Sequence, residues 1–123
     1  MADSEETWQT ASRDGLSPSP RRRSEHHLSN TIVDEMLKPQ IKVAPNISWG
    51  LGWGFEHASG GNAFWHWGDW GVFRNFAVAI PAERTGIVVL TNSFYGPDVY
   101  RRIVSEATGR RHPAFAWLDS YRP

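Results

Sequence analysis

Val72-Phe73-Arg74-Asn75-Phe76-Ala77-Val78-Ala79-Ile80, then the polar stretch Pro81-Ala82-Glu83-Arg84-Thr85-Gly86, then Ile87-Val88-Val89-Leu90, decide the fold class. In the first segment Val72, Arg74, Phe76, Val78 and Ile80 fall on one side, and Phe73, Asn75, Ala77 and Ala79 on the other, the period of a strand. The second segment is a turn by composition, and the third reads as a strand covered on both faces. Two strands with so short a link pair antiparallel.

Upstream, Ile47-Ser48-Trp49-Gly50-Leu51-Gly52-Trp53-Gly54-Phe55-Glu56 alternates large apolar residues with glycines, which predicts one strand with a face stripped for close packing. His57 to Asn62 is a loop, and Ala63-Phe64-Trp65-His66-Trp67 a further strand that Gly68-Asp69-Trp70-Gly71 interrupts. Before these, Pro39 to Asn46 reads as an extended connector. A helix is predicted over Asn30–Lys38, capped by Ser29 or Asn30, with Asp34 and Glu35 in its first turn, an apolar face of Ile32, Val33, Met36 and Leu37, and Pro39 as its stop. Downstream, Gly96-Pro97-Asp98 opens a second helix that Gly109 ends, with Val99, Tyr100, Ile103, Val104 and Ala107 inward. Arg110 to Pro123 carries Phe115, Trp117, Leu118 and Tyr121 without a clear period. The sum is an α+β chain: antiparallel strands flanked by N- and C-terminal helices.

Length and composition narrow the function. A chain of 123 residues is one domain by length, read as a disordered polar tail over 1–27 and a folded part over 28–123. Its 13 basic and 13 acidic residues cancel, so no global field attracts nucleic acid. No apolar run is long enough for a membrane helix, and Met1 to Glu6 has neither the cationic start nor the apolar stretch of a secretory signal, leaving the cytoplasm as the default expectation. The lack of cysteine removes disulfides, thiolate metal sites and a cysteine nucleophile. In the tail, Ser17-Pro18-Ser19-Pro20-Arg21-Arg22-Arg23 reads as solvated linker, and His26-His27 lacks a third metal ligand nearby.

Chemistry concentrates at Trp65-His66-Trp67-Gly68-Asp69-Trp70-Gly71, where a histidine, two glycines and three tryptophans meet. Backbone N–H groups there can receive the charge of a tetrahedral intermediate beside a histidine donor. A plain hairpin with a satisfied histidine accounts for the same spacing.

Trp49-Gly50-Leu51-Gly52-Trp53-Gly54, Phe64-Trp65-His66-Trp67-Gly68-Asp69 and Gly86-Ile87-Val88-Val89-Leu90-Thr91-Asn92, in this order, resemble the C-terminal portion of the serine β-lactamase-related hydrolases. That superfamily takes in class C β-lactamases, penicillin-binding D-Ala-D-Ala carboxypeptidases and esterases, and the likeness covers about Leu28 to Gly109. It implies an antiparallel sheet covered by helices, no cofactor and no bound metal. His66-Trp67-Gly68 matches the family's His-x-Gly signature. By the resemblance His66 lies on the wall of an acyl-transfer cleft, Gly68 follows it, Asp69 lends its backbone N–H to the oxyanion hole, and Trp67 and Trp70 contact a small-molecule or peptide acyl substrate. The strand is further expected to add to an extended substrate by its edge.

Two signatures of that family do not occur in this sequence. Ser-x-x-Lys, whose spacing sets hydroxyl and amine on one helical face, would need serine before Lys38 or Lys42, and Glu35 and Pro39 stand there. Tyr-x-Asn or Ser-x-Asn has no match at Tyr95, Tyr100 or Tyr121. The reading is therefore a C-terminal piece of a serine hydrolase, silent toward β-lactams and activated esters by itself and prone to self-association through unpaired strand edges. Two other readings stand beside it. Five tryptophans between Trp49 and Trp70 can form a ligand-stacking platform or scaffold remnant, and His57, His66, Asp69 and His112 can be imagined around a metal.

Overall fold

The computed structural model describes residues 28–121, so the tail expectation for 1–27 lies outside the described residues. The chain runs α1 (Asn30–Met36), β1 (Ile41–Ala44), β2 (Ile47–Trp49), β3 (Gly54–Glu56), β4 (Ala63–Trp70), β5 (Phe73–Ile80), β6 (Thr85–Val89), α2 (Gly96–Thr108) and α3 (Pro113–Ser120). The strands form a single antiparallel sheet in sequence order, which bears out the α+β expectation. The β5–β6 pairing follows the predicted short link, with Val78 opposite Ile87 and Ile80 opposite Thr85.

Alternation divides the sheet into two faces. Ile47, Ala63, Trp65, Phe76, Val78, Ile80 and Val89 point to the helix side and join Tyr100, Val104 and Ala114 in one core. Phe64, His66, Gly68, Trp70, Asn75, Ala77 and Val88 lie on the other face, which is half-buried to exposed. Tyr100 and Val104 are the buried apolar residues of α2, while Val99 and Ile103 stay exposed, so the inward stripe is narrower than predicted.

Several expectations need correction. The Ile47–Glu56 segment is two strands, because Gly52 takes a left-handed φ of 83° and Gly50 N–H donates to the Trp53 carbonyl at 2.8 Å, closing a hairpin loop. The alternation survived the turn because glycines occupy the turn positions. The connector Pro39 to Asn46 contains β1, which pairs with β2 through Lys42 opposite Ser48. β4 runs unbroken through Gly68-Asp69-Trp70, since Trp70 pairs with Phe73 across the two-residue turn Gly71-Val72. β6 is covered on one face only: its Val88 is 66% exposed. α1 ends at Met36, two residues early, its acids lie past the first turn, and none of its residues is buried. Ser29 does cap it, its Oγ accepting from Ile32 N–H at 3.3 Å. The unpatterned tail forms α3, docked on β2 and β3.

What holds α3 is Glu56, fully buried at the end of β3. His112 Nδ1 donates to its Oε1 at 2.6 Å, and Ala114 N–H donates to Oε2 at 3.2 Å. The carboxylate thus satisfies an open donor in the first turn of α3, where no side chain of the helix itself caps. Arg110 sits 3.9 Å from the same carboxylate and donates to the Gly60 carbonyl at 3.0 Å, tying the loop after β3 to the chain between α2 and α3.

Candidate active site

The first half of β4 is paired on both sides: Ala63, Phe64 and Trp65 face Glu56, Phe55 and Gly54 of β3. Among the described residues only β5 continues from His66 to Trp70, and on them this half of the strand has an open edge. Trp70 and Phe73 flank a two-residue turn and form a hydrogen-bonded pair, which makes Gly68–Asn75 and His66–Ala77 pairs of the same kind. Trp67 and Asp69, between them, direct their N–H and C=O groups to the open edge.

His66 curls around that edge. Its Nδ1 donates to the Trp67 carbonyl at 2.8 Å, which fixes the orientation of the ring at the edge. Its ring stacks on Trp67 with centroids 5.6 Å apart and meets Trp53, from the β2–β3 loop, edge-on at 6.2 Å. Beside it on the exposed face of the sheet lies a shallow hollow bounded by His66, Gly68, Asn75, Ala77, Val88 and Leu90. Gly68 narrows nothing there: the nearest atom to a Cβ at this position is Asn75 Nδ2, at 3.7 Å.

The Asp69 side chain points to the helix side, away from His66. Its Oδ1 lies 3.1 Å from Arg74 Nε, and Arg74 also donates to the Gly71 carbonyl at 2.9 Å and the Phe94 carbonyl at 3.2 Å. The guanidinium rests on the Phe94 ring, 4.2 Å from its centre. One arginine therefore pins the β4–β5 turn, the Asp69 carboxylate and the loop after β6. This leaves the Asp69 carboxylate committed and its backbone N–H at the edge. Asp69 and Arg74 also wall a second cavity of about 330 Å³, closed by Trp67, Tyr100, Arg101 and Tyr121.

Burial pushes the Tyr100 phenol above its ordinary value, reinforced by Asp69 and opposed by Arg101. A raised value means the folded state keeps this proton longer than the unfolded chain. Its contribution is intact below about pH 10 and is lost as pH rises from there through the folded value. We expect alkaline urea titrations to show stability falling in this window, and less steeply in Tyr100→Phe. Equal slopes for the two proteins would count against the assignment.

Of the five residues singled out from sequence, the structure puts the His66 ring, Gly68 and the Asp69 backbone along one edge. Trp67 turns inward, tilted against Trp49, Trp65 and Trp117 at 5.8–5.9 Å. Trp70 is 84% exposed at the far end of the strand. The tryptophans do not make an exposed platform: Trp65 is fully buried, Trp49, Trp53 and Trp67 are half-buried, and Trp70 alone of the five stands free. The imagined metal set is dispersed, with His57 on Ser48, Asp69 on Arg74 and His112 on Glu56. Among the described residues no group of three or more such side chains converges.

Sequence reasoning missed one constellation. Ser48 Oγ lies 3.0 Å from His57 Nε2, and His57 Nδ1 lies 3.4 Å from Asn62 Oδ1, a serine–histidine–amide order joined across the β2–β3 hairpin. Ser48 is buried against its hairpin partner Phe55 and lines none of the cavities above, so the chain of bonds ties the hairpin to the loop before β4. No sequence motif marks it, because the three residues meet only through strand pairing.

Among the described residues no helix is long and apolar enough to cross a membrane. Compared with known proteins, the chain matches the family model described as Beta-lactamase over residues 8–108, most of its length. No curated protein and no solved structure matches it.

Proposed function

The chain belongs to the beta-lactamase family, and from that membership we propose that it supplies the His-x-Gly wall of an acyl-transfer cleft whose nucleophile comes from residues outside this sequence. The observation that carries the reading is the open half of β4, where the His66 ring and the Asp69 N–H share one unpaired edge. A carbonyl placed against that edge would meet the Asp69 N–H as an oxyanion donor and the His66 imidazole as hydrogen-bonding partner. An extended acyl substrate would add to the same strand through the Trp67 and Asp69 backbone. Trp67 holds the edge from beneath, and Trp70 lies where the substrate's far end would pass.

The acyl-enzyme step needs an accessible hydroxyl with an adjacent base; Ser48 beside His57 is buried in the β2–β3 hairpin, and neither lysine of this chain has serine three residues before it. The chain alone is then a piece of a serine hydrolase and is silent. Incubated with a chromogenic cephalosporin or an activated phenyl ester, it should show no stoichiometric burst and no acyl adduct by intact mass. Refolded together with a family segment carrying Ser-x-x-Lys and Tyr-x-Asn, it should gain ester hydrolysis, and His66→Ala should lower the gained rate by about 10²-fold. A burst from the chain alone, or a complemented rate indifferent to His66, would overturn the proposal.

A further inference from the structure

The cavity of about 330 Å³ on the helix side of the sheet has no part in the acyl-transfer reading. Its walls come from β4, β5, α2 and α3, so it lies within the body of the described residues rather than at a strand edge. Its volume falls in the range of small-molecule sites, roughly 300–1,000 Å³.

Charge is already matched on these walls. Asp69 Oδ1 lies 3.1 Å from Arg74 Nε, and Arg101 holds the two oxygens of Asp119 at 3.1 and 2.7 Å. Each guanidinium has its own carboxylate, so a charged guest would have to part a pair to gain a partner.

The polar group left over is the Tyr100 hydroxyl. Tyr100 is 4% exposed, its ring stacked on Phe76 with centroids 5.2 Å apart and tilted against Phe115 at 6.0 Å. That packing sets the ring in the core and leaves its hydroxyl end among Asp69, Arg74 and Arg101, the charges that act on its proton and that line the cavity. No described group accepts the proton: a guanidinium has no acceptor, and Asp69 is bound to Arg74. A donor on a buried residue that opens on a cavity calls for an acceptor from outside the fold.

We propose that this cavity binds a small, flat, uncharged molecule, an aromatic amide or ketone whose carbonyl oxygen accepts from the Tyr100 hydroxyl. Its ring would lie against Trp67, Leu118 and Tyr121, which form the apolar part of the lining. The matched charges set the site against anions and cations alike, and the single free donor sets the position of the oxygen. The inference uses neither His66 nor the open edge of β4 and stands apart from the acyl-transfer reading.

Benzamide is the probe. Titrated into the full chain, it should saturate in the millimolar range and shift the Trp67 indole and the Tyr100, Arg101 and Leu118 amides in proton–nitrogen correlation spectra, leaving those of β1 unmoved. Tyr100→Phe keeps the ring and removes the hydroxyl, and should weaken binding by about 5-fold or more, the worth of one hydrogen bond. Benzoate, the same shape with a charge, should bind about 10-fold more weakly than benzamide or worse. Leu118→Trp, which fills the cavity from α3, should abolish the shifts. A full chain without saturable shifts at these residues, whether its cavity is closed or filled by another part of the chain, would overturn the proposal. So would a Tyr100→Phe protein that binds benzamide as tightly as the original, or benzoate as the tighter guest, which would mean that the arginines select an anion. Should Leu118→Trp unfold, the benzamide-to-benzoate ratio in the unaltered protein still decides.

Discussion

Replacing Glu56 by alanine should cost about 2–6 kcal/mol, because two buried donors lose their acceptor at about 1–3 kcal/mol each. The carboxylate is fully buried and receives His112 Nδ1–H and Ala114 N–H. Without it both donors lose their acceptor, and α3 loses the negative group at its first turn. Domains of this size have stabilities of about 5–15 kcal/mol, so the variant sits near the edge of folding. Urea denaturation followed by tryptophan fluorescence would measure the loss, and Trp117, on α3 and 5.8 Å from Trp65, reports whether the helix undocks first. Glu56→Gln separates charge from bonding. Its amide oxygen can still accept from one donor, so it should lose clearly less than Glu56→Ala. A Glu56→Ala protein within about 1 kcal/mol of the original would show that the bonds seen here contribute no more than an ordinary hydrogen bond.

Neither partner of this clamp is legible in the sequence. Glu56 ends an apolar alternation and reads as a solvated strand terminus, while His112 precedes a proline in a stretch without period. They meet only because the β2–β3 hairpin turns Glu56 toward the helix side and α3 returns beneath it. Local patterns carried more elsewhere. The β5–β6 hairpin and α2 were readable because period, turn and cap agree in each. The glycines of Trp49 to Gly54 gave the opposite result, continuing a strand pattern through a hairpin. At β6 an unbroken apolar run suggested two covered faces, and only the packing shows that the face carrying Val88 is left exposed among the described residues.

The candidate site was legible in part. His66-Trp67-Gly68 located the segment, but the sequence suggested a break where the strand continues, and it is that continuation past the end of β3 that gives an open edge. The inward turn of Trp67 follows from parity with Trp65, two residues before it. The role of Arg74 was hidden, because its contacts with Asp69, Gly71 and Phe94 depend on how β4, β5 and the loop after β6 are stacked.

Trp65→Ala should destabilise the chain by about 3–5 kcal/mol, the usual cost of emptying a buried aromatic site. Trp65 is fully buried and its ring lies 5.4 Å from Trp49, 5.8 Å from Trp67 and Trp117, and 5.9 Å from Phe76, onto which it stacks. It joins β2, β4, β5 and α3 through one side chain. Its other face is closed by Gly54, where a Cβ would stand 2.7 Å from the indole, so backbone and ring are fitted to each other. Among the described residues the indole Nε1 has no hydrogen-bond partner, a buried donor whose desolvation the fold already tolerates. Removing the ring relieves that penalty, which should bring the loss toward the lower end of the range. Trp65→Phe removes the unpaired N–H but keeps an aromatic ring between Gly54 and Phe76, so its cost should stay clearly below that of Trp65→Ala. Urea midpoints for the two variants give the comparison directly. If Trp65→Phe proves as damaging as Trp65→Ala, the indole nitrogen has a partner in solution, and the stack on Phe76 is not what holds the sheet to its helices.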